Sequence, residues 1–483
     1  MFARGGKMKI GIVVIGASGY MGKTGLNAIY ELKKELRIEG HRRKIEVLAA
    51  IDVEYSKFDE IIEVIKNYEE TYDTPPIHVL LQNALITVCG HFYINDGQFP
   101  IIFYDASPAS IHFDNYNFIN EFSYDGLDKS NLIYFGEKPF ILDPVQYNAF
   151  DEERNNNVYC DFIELKNPAF EETIKYIEEN DLKIKNMTLW RAGPTGIKKF
   201  VNEDRDGVQG GALEDKSLHD LSISVGLIGS DKIRDYEISN EKAHCFILPE
   251  WSDINNEEDR CFLSASNKKI EFNKNIEERF NLPADGFSTF SVLWKLNSGE
   301  QIQSNYIFSW LGLVGNECEE EIIAKIESYG LNFYEKFLAR NVKSNQAFQY
   351  TEEEIRLGII ECTDNQGKDV VLICNFLPKH TLSRFVCVFE DCKLSFIYTE
   401  SDIGDYSAIK YSSMKRMFKD IIDKIQDNEN NSKDFGEKPI LIVHDILLKV
   451  RNSIFDHEYS IESEYDKLLD IYEKKAKLKR TPN

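Results

Sequence analysis

Apolar and polar positions along the first 150 residues predict strands and helices in alternation. Lys9 to Ile15 (KIGIVVI) is a β-branched run of the kind that forms a buried strand, and it ends in the glycine cluster Gly16-Ala17-Ser18-Gly19-Tyr20-Met21-Gly22. From Thr24 to Leu36 the residues Leu26, Ile29, Tyr30 and Leu32 recur at helical spacing, with Lys33, Lys34 and Glu35 toward solvent. Further strands are read at Ile45 to Ile51, closed by Asp52, and at Ile101 to Tyr104, running into Asp105-Ala106-Ser107-Pro108. Another, Leu132 to Phe135, runs into Gly136-Glu137-Lys138-Pro139. This alternation predicts a doubly wound α/β sheet, whose ligands gather at the carboxyl ends of the strands. The uncharged stretch from Thr74 to Asn95 is interrupted by Pro75, Pro76, Gln82, Asn83 and Gly90, too often for a membrane span. It reads as buried strand and loop.

The pattern changes after Asn156. Pro168 to Asn180 is an amphipathic helix with proline in its first turn, Ile184 to Arg191 a strand, and Ala212 to Gly226 a helix preceded by Gly210-Gly211. From about 240 to 400 the segments KAHCFIL, FSTFSVLWKL, SNYIFSWL, DVVLICNFL and SRFVCVF read as strands, interrupted by an acidic helical segment around 318 to 340. A polar hinge at 427 to 439 leads into a helical end, IVHDILLKVRNSIF, and a basic tail, KKAKLKRTPN. The division expected is residues 1–150 and 151–483.

Charge narrows the function classes. Lys+Arg number 57 against 81 Asp+Glu, a formal net charge of -24, and that field argues against nucleic acid and anionic membranes as partners. The nine cysteines form no C-x-x-C pair, so no metal site is expected and the thiols suit a reducing compartment. No secretory signal is visible in MFARGGKMKIGIVVIGASG, which makes a cytoplasmic location the expectation.

Chemistry concentrates in two places. A G-x-x-G-x-x-G turn between a strand and a helix lets backbone N–H groups approach a pyrophosphate, which the helix dipole favours. Asp52, ending the next strand, would accept hydrogen bonds from an adenosine ribose and repel a 2′-phosphate, so NAD is preferred and NADP stays open. Lys23 has two readings, a phosphate contact or a solvated side chain. Asp215 and His219 stand four apart on a helix and project from one face, and a histidine beside a carboxylate is fitted to take a proton from an alcohol. Lys138 could hydrogen-bond a hydroxyl or carbonyl oxygen. His244 reads as a sheet histidine and His444, beside Asp445, as a surface one.

Four ordered motifs then carry a family resemblance. YDASPASIH, with His112 four residues beyond Pro108, and GEKPF, with Glu137-Lys138-Pro139, resemble the two hallmark strand ends of the Gfo/Idh/MocA oxidoreductases. PAFEETIKYIEENDLKIKNMTLWRAG resembles the helix and strand that open that family's second domain, and GGALEDKSLHDLSISVGLIG resembles its catalytic helix. The resemblance implies a Rossmann N-terminal domain and an α+β C-terminal domain with a large, mostly antiparallel open sheet. It implies an NAD(P)-dependent enzyme transferring hydride to or from a sugar, cyclitol or sugar-derivative carbon, with Lys138, Asp215 and His219 as the catalytic set. Gly16, Ser18, Gly19, Tyr20, Met21, Gly22, Asp52, Ser107, Pro108, His112 and Glu137 would line the cofactor, a strand-end structural role for His112 standing beside that reading. Lys138, Lys166, Trp190 and Arg191 would contact substrate. A dimer or tetramer is the implied assembly. An NAD-dependent glycosidase of the same family and a non-catalytic nucleotide-binding scaffold are the alternatives. The turn is GASGYMG where the family more often has G-x-G-x-x-G, and the segment from about 315 to 435 has no counterpart in the resemblance.

Overall fold

Runs that are apolar on both faces, such as Ile101–Tyr104 and Leu132–Phe135, must be covered on both sides, and the first sheet is centred on such runs. In the computed structural model, the described residues are 8–38, 43–68, 75–94, 99–122, 129–153, 157–193, 211–246, 284–309, 313, 317–344, 349–377, 382–400, 406–427 and 436–455. The residues before Met8, Gly210, most of the polar hinge and the basic tail lie outside them.

The first unit comprises residues 1–167, 229–231 and 404–445. Its elements are β1 (Met8–Ile15), α1 (Tyr20–Ile38), β2 (Arg43–Ile51), α2 (Phe58–Lys66), β3 (Ile77–His78), α3 (Leu81–Ile94), β4 (Ile101–Asp105), α4 (His112–Glu121), β5 (Leu132–Gly136), α5 (Pro144–Glu153) and β6 (Val158–Cys160). The strands pair in parallel in the order β3-β2-β1-β4-β5-β6. The order reverses between β1 and β4, and such a switch point opens a crevice at the strand ends. The stretch expected as buried strand and loop is corrected here, because among its described residues only Ile77–His78 is strand and Leu81–Ile94 is the helix α3. Ala84, Leu85, Val88 and Cys89 are buried while Gln82, Asn83, Ile86 and Gly90 are exposed, a helical period that the lack of charges hid.

The second unit comprises residues 168–228, 232–403 and 446–483. It contains α6 (Pro168–Glu179), β7 (Lys183–Ala192), α7 (Gly211–Ile228), β8 (Ile233–Phe246), β9 (Ala284–Leu296), β10 (Gln301–Ser309), α8 (Glu317–Ser328), α9 (Phe333–Lys336), β11 (Ala339–Ser344), β12 (Gln349–Thr363), β13 (Asp369–Asn375), β14 (Phe385–Glu390) and β15 (Lys393–Thr399). Eight strands run in the order β15-β14-β13-β12-β7-β10-β9-β8, with β11 added on β12, and only β7 and β10 pair in parallel. Alternation along β7 divides the sheet's two faces. Trp190 and Ala192 join Phe333, Phe337, Ile355, Leu357 and Ile373 in an apolar cluster under α8 and α9. Leu189 and Arg191 face α7, to which Tyr306 of β10 donates a hydrogen bond at Ser224 (2.7 Å).

Two helices complete the chain. α10 (Tyr406–Asp427) belongs to the first unit and packs along α1, and α11 (Glu437–Phe455) has its first nine residues there. Phe418 of α10 lies edge-on to Tyr104 and Phe135 (both 5.3 Å between ring centres), and Lys415 pairs with Glu35. No described helix is long and apolar enough to cross a membrane.

Candidate functional site

In the first unit the glycine turn is fixed by close backbone approach. Gly16 has φ +69°, and a Cβ there would stand 2.6 Å from the Ala106 carbonyl oxygen. A Cβ on Gly22 would stand 2.1 Å from the Gly16 carbonyl oxygen, so both positions exclude any side chain. Gly19 N–H donates back to Gly16 O (3.1 Å), and Ser18 N–H donates to Asp52 Oδ2 (2.8 Å). Asp52, buried, also accepts the Glu54 N–H (3.0 Å), so the carboxylate braces the turn as well as ending β2. Tyr20 and Met21 open α1, with Tyr20 exposed and Met21 half-buried. Lys23 is ion-paired with Glu60 on α2, both side chains keeping solvent access.

A polar network that sequence reasoning missed underlies the neighbouring strand ends. Asp105, fully buried at the end of β4, accepts hydrogen bonds from Tyr134 (2.7 Å), Asn115 (2.9 Å) and the Ser107 N–H (3.0 Å). Ser107 is thereby tied to β4, and exposed Pro108 opens the turn into α4. Tyr104 donates to Glu137 Oε1 (2.9 Å), and burial, then the Glu137 carboxylate, holds its phenol well above the usual range. His112 is 1% exposed, with Nδ1 3.0 Å from the Pro139 carbonyl oxygen and Nε2 2.7 Å from that of Ser107. Each ring nitrogen thus faces a backbone carbonyl oxygen, and a neutral imidazole donates to one of the two. Lys138, half-buried, stands between Glu137 and the cis-linked Pro139. Lys166 forms an ion pair with Asp420 of α10 within this unit.

His444 corrects the surface reading. It is fully buried; Phe140 N–H donates to its Nε2 (3.1 Å) and Nδ1 lies 2.8 Å from the Ile440 carbonyl oxygen. Burial pulls its pKa down to about 4. The misreading arose because Asp445 beside it suggested a wet face, whereas Ile440, Val443 and Leu447 form the dry one.

The second unit holds α7, buried on almost every side. Asp215 and His219 are half-buried, one turn apart on one face. Arg191 of β7 reaches Asp220 with Nε at 2.9 Å and Nη2 at 2.8 Å, both residues being 3% exposed. Arg191 is thus a support for α7, and Trp190, fully buried and stacked on Phe333 (5.3 Å), is core; neither takes the substrate-facing position expected of it. Glu214, beside Asp215, pairs with Arg451 (2.7 Å).

Lys216 is the residue on α7 that sequence reasoning passed over. Its Nζ lies 3.5 Å from Asp215 Oδ2, and it is 7% exposed. Burial holds its pKa below the usual lysine range, offset by Asp215 and Glu354 and reinforced by Arg356 and Arg191. Arg191 and Arg356 are direct cross-strand partners on the face toward α7. The available signal was a lysine inside an otherwise buried helix. Among the described residues, no His, Cys, Asp and Glu group could hold a metal ion.

No family model matches the chain, and no curated protein does. Solved structures do. A UDP-N-acetylglucosamine 3-dehydrogenase from Acidithiobacillus ferrooxidans superposes with a TM-score of 0.50 at 12% identity, over 93% of this chain and 98% of that one. A dehydrogenase from Chromobacterium violaceum gives 0.52 at 9%, over 92% and 95%. An oxidoreductase from Thermotoga maritima gives 0.50 at 14%, over 95% and 99%. At these identities the likeness is one of fold, and it covers at least 92% of the chain. The chain carries the fold of the Gfo/Idh/MocA-type oxidoreductases.

Proposed function

We propose that this protein is an NAD(P)-dependent oxidoreductase that moves hydride between nicotinamide and a carbinol or carbonyl carbon of a sugar, cyclitol or sugar derivative. The observation that carries the reading is the glycine turn at the β1–β4 switch point, a close-packed backbone cradle in which a Cβ on Gly16 or Gly22 would strike the backbone of Ala106 or of Gly16 itself. That cradle fits a dinucleotide: the N–H groups of residues 16–22 and the start of α1 would hold the pyrophosphate. Asp52 retains lone pairs beyond its two backbone bonds, enough to accept a ribose hydroxyl, and its charge favours NAD over NADP. When bound, the nicotinamide supplies the hydride acceptor or donor.

The chain's own groups handle the proton and the oxygen. His219 would take the hydroxyl proton on oxidation and return it on reduction, with Asp215 orienting the ring. Lys138 would hydrogen-bond the reacting oxygen and offset the charge it develops. These roles rest on the motif resemblance, supported by the half-burial of all three side chains. A homodimer or tetramer belongs to the same expectation.

Because one structure of this fold belongs to a UDP-N-acetylglucosamine dehydrogenase, nucleotide sugars are the first substrates to try. Fluorescence titration with NADH and NADPH should show binding, tighter for NADH. Nicotinamide absorbance should then change with NAD⁺ and a panel of nucleotide sugars, free sugars and cyclitols, and Lys138→Ala should abolish the change while retaining NADH. Failure of both dinucleotides to bind would end this reading.

A further inference from the structure

The turn that carries Lys138 begins where β5 ends, at Gly136, and its backbone groups must find partners outside a strand ladder. Two histidines supply them. The Pro139 carbonyl oxygen lies 3.0 Å from His112 Nδ1, and the next backbone polar group, Phe140 N–H, donates to His444 Nε2 at 3.1 Å. A carbonyl oxygen only accepts and an N–H only donates, so His444 must accept from the turn, while His112, with a carbonyl oxygen at each ring nitrogen, donates to Pro139 in the form that carries a proton on Nδ1. For His444 the tautomer follows from its partners: Nε2 must keep its lone pair, and Nδ1–H donates to Ile440 O at 2.8 Å. The Phe140 ring is pinned as well, among Phe113, Tyr116, Tyr134 and Phe150 at 5.3 to 5.9 Å. His444 is separated from Phe140 by 304 residues in sequence and comes from α11.

We propose that His444 is a positioning residue for Lys138: by holding the Phe140 N–H while His112 holds the Pro139 carbonyl, it sets where the Lys138 amine stands. This rests on the role given to Lys138 above. Nothing in a packing role alone would demand an acceptor at position 444, since Phe162, whose ring centre is 6.5 Å from that of His444, belongs to an apolar surround that leucine would suit equally. An aliphatic residue there leaves the Phe140 N–H buried without an acceptor, which the turn can relieve only by moving.

The test uses the full chain and needs no substrate. Amide hydrogen exchange read by mass spectrometry should find Phe140 protected in the wild type. In His444→Leu its protection should fall at least about tenfold, and acetylation of Lys138 by acetic anhydride should change severalfold. His444→Gln, whose side-chain oxygen can accept the same N–H, should restore both. The proposal is overturned if a folded His444→Leu keeps wild-type protection at Phe140, if Lys138 labelling does not move, or if Gln fails as completely as Leu. Should His444→Leu not fold, the wild type and His444→Gln decide alone, because a Phe140 amide exchanging at the rate of an open loop refutes the clamp. A clamp that holds in a protein binding neither NADH nor NADPH would overturn the assignment of function instead, so the two failures are separable.

Discussion

Removing one charge of the Arg191–Asp220 pair should destabilise the second unit far more than the loss of one hydrogen bond. Both side chains are 3% exposed, and the guanidinium reaches Asp220 Oδ1 through Nε and Nη2 at 2.9 and 2.8 Å. Asp220→Asn keeps the shape and leaves the arginine charge buried beside Lys216 and Arg356, two further cations. Breaking such a pair from one side costs about 3–5 kcal/mol. For a domain of this size each kcal/mol shifts the melting temperature by about 2–4 °C, so the second unit's transition should fall by roughly 10 °C. Scanning calorimetry of the full chain resolves that transition. The double variant Arg191→Met/Asp220→Leu, which removes both charges, should recover most of the loss, giving a coupling energy of at least ~2 kcal/mol in the mutant cycle. An Asp220→Asn midpoint within about 1 °C of wild type, or a double variant no better than the single one, would refute the claim that α7 depends on this pair.

Three other outcomes follow from the geometry. Gly22→Ala places a methyl 2.1 Å from Gly16 O and 2.7 Å from Ala17 Cα, both backbone; forcing that overlap costs about 1–3 kcal/mol, read as weakened NADH binding, whereas exposed Gly90→Ala, with nothing within 4 Å, should be neutral or stabilising. His444 has a folded pKa of about 4 against 6.5, so the unfolded state binds more protons between those values and stability should fall as pH drops through that window, by about 3 kcal/mol in all. His444→Gln should flatten that part of a urea-denaturation series against pH. For Lys216, also depressed, the sign is the same at higher pH: stability should rise as pH climbs from the folded pKa toward 10.5, and Lys216→Met should be no less stable than wild type near neutrality. An Lys216→Met chain unfolding well below wild type at pH 7 would show that the bond to Asp215 outweighs desolvation.

The parallel sheet was legible because most of its strands are short apolar runs closed by glycine, aspartate or proline. Asp215 and His219 were legible from spacing alone, since one helical turn is a local property. Arg191 and Trp190 were not, because their directions depend on pairing: β7 lies between β10 and β12, and the strand β12 was absent from the segments read as β. Only that register puts Arg191 opposite Arg356 under α7 and sends Trp190 to the other face against Phe333. Asp52 showed its position but not its second duty, because an aspartate holding the Ser18 N–H across 34 residues is a tertiary contact with no local signal. His444 was misjudged for the same reason, its partner Phe140 lying 304 residues away in sequence.

The discontinuity of the first unit sets a timetable for synthesis. Residues through Asn167 leave the ribosome first, but α10, whose Phe418 closes over Tyr104 and Phe135, follows only after residue 404, and the unit ends at Asp445, roughly 280 residues later. At about 5–20 residues per second that is an interval of roughly 14–56 s. Through it the nascent sheet presents an uncovered aromatic face and a Phe140 amide without its acceptor. The unit encoded first is therefore completed only after most of the second has been made, and a chaperone that shields aromatic surface during that interval should raise the yield of active chain.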